Sequence, residues 1–302
     1  MDDRERRPRR FGRARRLTTR RRVMEVVYDA LYRGGWPSRI ARPLGLQGAL
    51  RVATHAIAVP SSPDGDPPPL RIAYASDLHA GPATHPDIVA RACRALADAR
   101  PDLLLLGGDF VSFHARHADA LVPLLAAVEA PLGKLAVLGN HDLMADDVHV
   151  VARLADAGVR TLVNESVRLP PPHAGTWICG LDDAEEGWPD ADAAFAGADG
   201  TRIVLVHSPE GLRHLAGHEH ALALCGHVHG GQFWVGDRTL TSYHGALNLR
   251  YLRGGVFPPG DGRGGALLVS RGIGQSSLPL RRRADPEVHI VTLERGRASR
   301  DF

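Results

Sequence analysis

Residues 103–109 read Leu103-Leu104-Leu105-Leu106-Gly107-Gly108-Asp109. Four consecutive apolar residues that end at two glycines predict a short strand with both faces buried. Asp109 follows the glycines directly, so its carboxylate is expected just beyond the end of that strand. In layered α/β sheets, active sites lie at this end of the strands. The stretch therefore predicts an α/β fold with a functional carboxylate at a sheet edge.

The same arrangement, an apolar run followed by a polar side chain, recurs along the chain. The other runs are residues 72–75 before Asp77, 135–138 before Asn140, 203–206 before His207 and 221–224 before His227. Further strands are predicted at residues 51–59, 159–163, 176–180, 266–270 and 288–293, and helices at about 85–99, 115–129, 146–157 and 208–215. This alternation predicts a layered α/β core.

The polar residues at these positions suit a pair of divalent metal ions. Two such ions about 3.5–4 Å apart need a carboxylate that bridges them, and neutral imidazoles to complete each shell. Asp109 is the best candidate for the bridge. The other candidates form two groups: Asp77, His79 and His229 for one ion, and Asn140, His207 and His227 for the other. Oxygen and nitrogen donors without thiolate favour manganese, iron or zinc. His141 is left over beside Asn140, where a histidine can donate a proton to a leaving group.

Taken in order, these motifs resemble those of the calcineurin-like metallophosphoesterases. The matching residues are Ser76-Asp77-Leu78-His79, Gly108-Asp109, Gly139-Asn140-His141-Asp142, His207-Ser208-Pro209 and Gly226-His227-Val228-His229-Gly230-Gly231-Gln232. The resemblance runs from about Leu70 to Leu293. Residues 226–232, 270–274 and 285–287 are similar to the bacterial branch that includes the YkuE and YaeI phosphodiesterases.

The resemblance implies a fold, a reaction and a set of roles. The fold is a four-layer α-β-β-α sandwich with two facing mixed β-sheets. The reaction is hydrolysis of a phosphoester, with a diester expected in preference to a monoester. A hydroxide that bridges two divalent ions (Mn²⁺, Fe²⁺ or Zn²⁺) attacks phosphorus, and His141 is implied as the proton donor. The implied metal ligands are Asp77, His79, Asp109, Asn140, His207, His227 and His229.

One position departs from the family pattern. Many relatives have a second aspartate three residues after the bridging one, where it can orient the catalytic histidine, whereas this chain has Ser112. Either Asp142 or a backbone carbonyl must then orient His141. The chain also lacks the Gly-Asp-x-x-Asp-Arg-Gly and Asn-His-Glu forms of phosphoprotein phosphatases, which argues against a Ser/Thr protein phosphatase.

The sequence says least about the substrate. The predicted substrate contacts are Arg250, Arg271, His114 and His244, although a surface position is the simpler interpretation of each one taken singly. Residues 184–200 form either an insertion over the site or an acidic surface helix. By analogy with relatives that act on UDP-2,3-diacylglucosamine, we expect a lipid-linked or nucleotide-sugar diester. Two alternatives stay open: a nuclease, and a non-catalytic, metal-stabilised interaction protein.

Charge divides the chain into an N-terminal arm and a catalytic domain. Residues 1–60 hold 15 arginines against 5 acidic residues, a balance of +10, although the whole chain balances at +3. These residues are predicted to form a basic arm with a short amphipathic helix and an edge strand. A linker at 61–69 and the catalytic domain at 70–302 are predicted to follow.

The arm has two competing interpretations. Val23, Val27, Ala30 and Leu31 fall on one helical face behind the arginines, which suits contact between residues 1–33 and an anionic membrane surface. The alternative is a solvated tail with a helix docked on the domain. Nucleic-acid binding is disfavoured, because no aromatic residues alternate with the arginines. We find no apolar stretch suited to a cleaved signal peptide or a membrane span. The predicted location is therefore the cytoplasm or the cytoplasmic face of the membrane.

Overall fold

The computed structural model describes residues 11–12, 19–59, 67–259 and 265–295. Residues 1–10, 13–18 and 60 of the predicted basic arm, and residues 61–66 of the predicted linker, lie outside the described residues. The division of the chain into arm, linker and domain therefore stays a prediction.

The described helices and strands alternate along the chain. In order they are α1 (Thr19–Leu31), a 3₁₀ helix (Arg33–Gly35), α2 (Trp36–Ala41), β1 (Arg51–Val59), β2 (Leu70–Ala75), α3 (Pro86–Asp98), β3 (Leu103–Leu106), a 3₁₀ helix (Ala115–Leu121), α4 (Val122–Ala126), β4 (Lys134–Ala136), α5 (Asn140–Met144), α6 (Asp147–Asp156), β5 (Val159–Thr161), β6 (Glu165–Arg168), β7 (Thr176–Gly180), α7 (Ala191–Phe195), β8 (Thr201–Leu205), a 3₁₀ helix (Pro209–Leu215), β9 (Leu222–Cys225), a 3₁₀ helix (His229–Gly231), β10 (Trp234–Val235), β11 (Arg238–Thr239), α8 (Ala246–Arg250), β12 (Gly255–Phe257), β13 (Ala266–Val269) and β14 (Glu287–Arg295).

The strands form two six-stranded mixed sheets and one small hairpin. The first sheet has the order β1-β14-β2-β3-β4-β5, in which only β14 and β2 run antiparallel to each other. The second has the order β12-β13-β9-β8-β7-β6, with antiparallel pairs at its two edges and parallel pairs between them. β10 and β11 pair only with each other. Each large sheet therefore has a parallel centre, whose strands all end at one edge.

The four leucines of β3 show how the layers are held together. Leu103 and Leu105 face the second sheet, in a cluster that includes Ile203 and Leu224. Leu104 and Leu106 point the other way, in a cluster with buried residues of α3 and α6. All four are fully buried, because successive strand residues alternate between the two faces of a sheet. The prediction of a strand buried on both faces is confirmed.

A third apolar cluster covers the outer face of the second sheet. It joins Val204 and Ala223 of that sheet to Phe195 of α7 and to Leu215 of the neighbouring 3₁₀ helix. The order of layers is thus helices, sheet, sheet, helices. The predicted four-layer α-β-β-α sandwich with two facing mixed sheets is confirmed.

Most elements lie where the sequence places them, and β1 and β7 have the predicted bounds. The predicted helix at 115–129 is instead a 3₁₀ helix followed by the short α4. Pro123 lies in the first turn of α4, where it lacks the N–H that would continue the preceding turns. Strands β6, β10, β11 and β12 were not predicted, since each is short and at least partly exposed.

The predicted edge strand is confirmed at the start of the first sheet. β1 pairs with β14 in parallel over its whole length, from Arg51 opposite Glu287 to Val59 opposite Arg295. Among the described residues, none of the helices has the length and apolar character needed to cross a bilayer.

Candidate metal centre

The seven predicted ligands come from both sheets and meet where the parallel strands end. Asp77 and His79 follow β2, Asp109 follows β3, and Asn140 follows β4 at the start of α5. His207 follows β8, while His227 and His229 follow β9. The apolar strands thus fix the backbone, and the short loops after them present the polar side chains.

The backbone of these loops is unusual for residues that are not glycine. Five of the seven predicted ligands have φ between 43° and 69°: Asp77, His79, Asp109, His227 and His229. Each such residue costs about 1–3 kcal/mol, and such positions cluster at functional sites. Hydrogen bonds between neighbouring loops hold this geometry, as from Asp77 N–H to the Gly108 carbonyl (2.9 Å) and from His79 N–H to the Asp109 carbonyl (2.9 Å). This backbone conformation directs the side chains of the five residues toward the candidate metal centre.

At two positions of the motifs, the surrounding atoms leave no room for a side chain. A Cβ at Gly139 would collide with the Asp109 carboxylate and the His207 ring, and a Cβ at Gly226 would collide with the Asp77 carboxylate. Larger residues would therefore displace the predicted ligands themselves.

The first predicted group of ligands is brought together by the structure. Nε2 of His229 lies 3.0 Å from Nε2 of His79 and 3.5 Å from Oδ1 of Asp77. Asp77 is held in place because both of its carboxylate oxygens accept the backbone N–H of His227, each at 3.0 Å. One ligand atom from each of the three side chains lies within 4.8 Å of the others, so the three could share one ion.

The second group meets beside the first. Nε2 of His207 lies 3.3 Å from Nδ1 of His227 and 3.2 Å from Oδ1 of Asn140. Oδ2 of Asp109 stands between the groups, 3.4 Å from Nε2 of His207 and 3.3 Å from Nε2 of His79. A carboxylate in this position is placed to be shared by two ions.

The geometry and the chemistry of these donors fit divalent metal ions. Ligand atoms that surround one ion at 2.0–2.2 Å lie roughly 3.0–3.5 Å from each other, which is the spacing observed here. The donors are carboxylate and amide oxygens and imidazole nitrogens, and the set contains no thiolate. Such a set suits Mn²⁺, Fe²⁺ and Zn²⁺.

Burial and neighbouring charges favour the ligand form of two proposed ligands, Asp109 and His229. Burial alone would raise the pKa of Asp109, but His207, His141 and His79 hold that pKa well below its usual value. Burial, together with His79 nearby, lowers the pKa of His229 well below its usual value. A charged carboxylate and a neutral imidazole are the ligand forms of these two residues. The two histidines of the second group must lose a proton when metal binds, because burial would lower the pKa of each but Asp109 raises that of His207 well above its usual value and Glu185 raises that of His227.

The structure identifies what orients His141. Nδ1 of His141 lies 2.6 Å from the carbonyl oxygen of Ser112, so the ring N–H donates to that carbonyl. The residue that replaces the family's second aspartate therefore supplies the contact through its backbone. Nε2 is then the ring nitrogen that can exchange a proton with a substrate.

Asp142 does not orient His141, which was one of the two possibilities that the sequence left open. Its Oδ1 accepts the N–H groups of Phe110 (2.8 Å) and Val111 (3.2 Å), and its Oδ2 accepts the Gly139 N–H (3.0 Å). Burial and the nearby charge of Asp109 raise the pKa of Asp142 to about 8. Asp142 thus ties the loop after Asp109 to the start of α5, and leaves the orientation of His141 to Ser112.

Sequence reasoning missed Glu185 as a residue of the site. Its Oε1 lies 2.9 Å from Nε2 of His227, and the Asn248 side-chain amide donates to the same oxygen at 3.1 Å. Asp183 holds the local turn, since its Oδ1 accepts the Glu185 and Glu186 N–H groups. The segment begins as this tight turn before the short α7, so Glu185 reaches the site from a loop. Its acidic composition gave no signal of that contact.

A cavity of about 480 Å³ opens over the candidate metal centre. It is lined by Asp109, Asn140, His141, Glu185, His227, His229, Leu240, Thr241, Ser242, Tyr243, His244, Ser276, Ser277 and Leu278. Of the four predicted substrate contacts, His244 lies here. The described structure places the other three elsewhere: Nε2 of His114 pairs with Asp29 (2.9 Å), Arg250 lies over the Tyr251 ring, and Arg271 contacts the Arg253 carbonyl.

Comparisons with known proteins identify the family of this chain. The model of the calcineurin-like phosphoesterase family matches residues 70–231. An uncharacterized metallophosphoesterase of Aquifex aeolicus is 31% identical over 81% of this chain and 92% of its own length. YkuE of Bacillus subtilis, an uncharacterized metallophosphoesterase, is 32% identical over 65% of this chain and 69% of its own. The phosphodiesterase YaeI of Escherichia coli is 31% identical over 55% of this chain and 63% of its own.

Similar solved structures are more distant. A 5'-nucleotidase precursor from Thermus thermophilus aligns with a TM-score of 0.40 and 14% identity, over 74% of this chain and 54% of that structure. A dimetal phosphatase from Danio rerio aligns with a TM-score of 0.37 and 12% identity, over 68% of this chain and 88% of that structure. At this distance, neither activity is carried over to the present chain.

Sequence family and site together define a class. The protein is a metal-dependent phosphoester hydrolase. It belongs to the calcineurin-like phosphoesterase family, because the family model covers residues 70–231 of its 302 residues and a relative of similar length is 31% identical.

Proposed function

We propose that the protein hydrolyses phosphodiesters with two divalent metal ions held by Asp77, His79, Asp109, Asn140, His207, His227 and His229. The observation that supports this most is the position of Asp109, whose Oδ2 is 3.3 Å from one histidine group and 3.4 Å from the other. A single carboxylate oxygen between two clusters of imidazole nitrogens is what a pair of cations requires. Mn²⁺, Fe²⁺ and Zn²⁺ are the proposed ions, because the donors are oxygen and nitrogen only.

When bound, the ions would polarise the phosphoryl oxygens and make an attacking water more acidic. The chain's own residues do the rest. Asn140 can contribute only its side-chain carbonyl oxygen, which lies 3.2 Å from Nε2 of His207. His141 is held by the Ser112 carbonyl so that Nε2 can protonate the leaving oxygen. The buried walls around Asp77 and His207 exclude bulk water from that side of the centre.

The charge around the cavity supports a diester in preference to a monoester. The described residues that line it include no lysine or arginine, and Glu185 adds a carboxylate to the lining. A monoester carries up to two negative charges at neutral pH, whereas a diester carries one. The two proposed ions would act on both kinds of substrate, but no lysine or arginine of the described lining is present to pair with the second charge of a monoester. The E. coli relative named a phosphodiesterase points the same way.

The finer choice of substrate is a lipid-linked or nucleotide-sugar diester such as UDP-2,3-diacylglucosamine. Tyr243 supports an organic substituent near the metals, because its ring lies 6.0 Å from that of His227 and lines the cavity. His244 in the same segment is the predicted substrate contact that we retain. The cytoplasmic location stays a prediction, and contact with an anionic membrane is a separate proposal that stands on other residues.

The test compares substrates on metal-stripped protein to which Mn²⁺, Zn²⁺, Fe²⁺ or Mg²⁺ is returned singly. We expect bis-p-nitrophenyl phosphate to be cleaved faster than p-nitrophenyl phosphate. UDP-2,3-diacylglucosamine, single-stranded DNA and RNA complete the panel. Preferred cleavage of DNA or RNA would favour the nuclease alternative. Two bound ions without turnover of any substrate would favour the non-catalytic interaction protein.

We expect Glu185→Ala to weaken metal binding about 10–100-fold, the usual effect of removing a residue that orients a metal-binding histidine. The Glu185 carboxylate accepts from Nε2 of His227, which turns the Nδ1 lone pair toward His207 and Asp109. Glu185→Gln keeps an accepting oxygen and should recover part of the affinity. The measurement is competition for Zn²⁺ with a coloured chelator.

Glu219→Ala is the matched control, since that side chain is 94% exposed and lies 3.8 Å from Arg202. The positioning role of Glu185 would be refuted if the alanine variant bound both ions as tightly as the unchanged protein.

A further inference from the structure

Exposed apolar side chains are concentrated in one short part of the chain, residues 23–46, which we call the N-terminal cap. Of the fifteen large apolar residues that the described structure leaves exposed, eight lie in the cap. Their side chains are between 43% and 69% exposed: Val23, Val26, Val27, Leu31, Trp36, Ile40, Leu44 and Leu46. Large apolar side chains that are exposed and concentrated in this way indicate an interaction surface.

The cap is firmly attached to the domain through its other face. The ring of Tyr28 is buried against Phe113, with centroids 4.0 Å apart, and Asp29 contacts His114 at 2.9 Å. The Tyr32 hydroxyl donates to the Ser277 carbonyl at 2.8 Å. Phe113 neighbours His141 and Ser277 lines the cavity, so the cap borders the candidate metal centre.

Helix α1 therefore has its faces reversed relative to an ordinary surface helix. Val23, Val26, Val27 and Leu31 are spaced so that they share one face, and that face is exposed. The face with Tyr28 and Asp29 is the one that contacts the domain. An amphipathic helix normally turns its apolar face to the core. Trp36 and Ile40, four residues apart in α2, share a helix face and are also exposed.

Exposed arginines lie within the cap and across a groove from it. Arg33, Arg39 and Arg116 are exposed and, together with Asp29, line this groove of about 670 Å³ between the cap and the domain. None of the three forms an ion pair with a carboxylate of the described residues. The sequence immediately before the cap adds the same charge, because residues 1–22 contain 11 arginines and 3 acidic residues. The cap thus combines exposed apolar side chains with positive charge, which suits a partner that is both apolar and anionic.

We propose that the cap docks on an anionic phospholipid bilayer, with α1 and α2 lying in the interface. Valine, leucine, isoleucine and tryptophan side chains would enter the boundary between headgroups and acyl chains, while the arginines meet lipid phosphates. Trp36 suits this depth, since tryptophan favours the membrane interface. A second copy of the chain fits less well, because two caps of equal positive charge repel each other. This inference concerns an interaction surface and does not depend on the proposed reaction.

The test is co-sedimentation of the full chain with vesicles of phosphatidylcholine alone and with vesicles that also contain the anionic lipid phosphatidylglycerol. We expect binding to the anionic vesicles, a loss of binding in high salt because charge is screened, and a blue shift of Trp36 fluorescence that a Trp36→Phe variant lacks. The double variant Val26→Asp with Leu31→Asp should lower the partition coefficient at least about tenfold.

The matched control is Val235→Asp with Leu249→Asp, because these side chains are 51% and 56% exposed outside the cap. Its vesicle binding should equal that of the unchanged chain, and circular dichroism checks that both double variants are folded. Equal loss in the two double variants, equal binding to neutral vesicles, or no vesicle binding would overturn the proposal. A dimer in solution that only the cap variant dissociates would overturn it in favour of a second copy.

Discussion

Asp109→Asn should abolish most of the diesterase activity, lowering kcat/KM by roughly 10³-fold, together with loss of bound metal. The expected size follows because metal ions stabilise the transition state by several kcal/mol, and each ~1.4 kcal/mol is tenfold in rate. Oδ2 of Asp109 lies within 3.4 Å of both histidine groups, so an amide there would remove the negative charge between two cations. The measurement is metal content per chain and the rate with bis-p-nitrophenyl phosphate.

The asparagine variant is chosen because it keeps the shape of the side chain. The backbone N–H of His141 donates to Oδ1 of Asp109 at 2.9 Å, and the amide oxygen of an asparagine can still accept that hydrogen bond. Asp192→Asn is the control, since the Asp192 side chain is 95% exposed. A variant that retained two ions and full activity would show that Asp109 does not bridge a metal pair.

His141→Ala should have the second-largest effect, a loss of about 10²–10⁴-fold in kcat, the range expected for a missing general acid. In contrast to Asp109→Asn, it should keep both ions, because the seven proposed ligands are untouched. The loss should grow as the leaving group becomes a poorer one, since an unprotonated poor leaving group departs slowly. A series of aryl phosphodiesters with increasingly basic phenols measures this dependence.

The comparison of metal content separates the two roles. If His141→Ala lost metal to the same extent as Asp109→Asn, His141 would be a ligand and the division of roles would be wrong. If the loss of rate were the same for good and poor leaving groups, His141 would not be the proton donor. His117→Ala is a suitable control, because His117 is half-buried in the neighbouring segment and does not line the cavity.

The parts of the fold that the sequence predicted are those with strong apolar signals. The four leucines of β3 and the runs before Asp77, His207 and His227 are buried in the two sheets. The sequence did not predict strands such as β6 and β12, because short strands with partly exposed residues lack a clear periodicity. The 3₁₀ helix at Ala115–Leu121 also has no sequence signal that separates it from an α-helix.

The candidate site was predictable where side-chain type carries the chemistry. The seven predicted ligands converge, since each motif sits at the end of a strand. The orientation of His141 was not predictable, because the Ser112 carbonyl is a backbone group that any residue could supply. Glu185 was missed for a related reason. Its contact with His227 depends on a turn held by Asp183, and an acidic loop looks the same in sequence whether or not it reaches a site.

The N-terminal cap shows a third kind of difference between sequence and structure. The helical spacing of Val23, Val27 and Leu31 identifies an apolar face, but does not say what it faces. A helix docked on the domain would ordinarily bury that face. The structure shows that α1 is docked and that this face is nevertheless exposed. The two interpretations of the arm are thus partly compatible.

The most direct test of the central claim is a metal titration of the stripped full-length chain. Bound Mn²⁺ or Zn²⁺ per chain and hydrolysis of bis-p-nitrophenyl phosphate are measured on the same samples. We predict that activity is absent without metal and reaches its maximum only when two ions are bound per chain. Full activity with one ion, or without any, would contradict a phosphodiesterase mechanism that uses two metal ions bridged by Asp109.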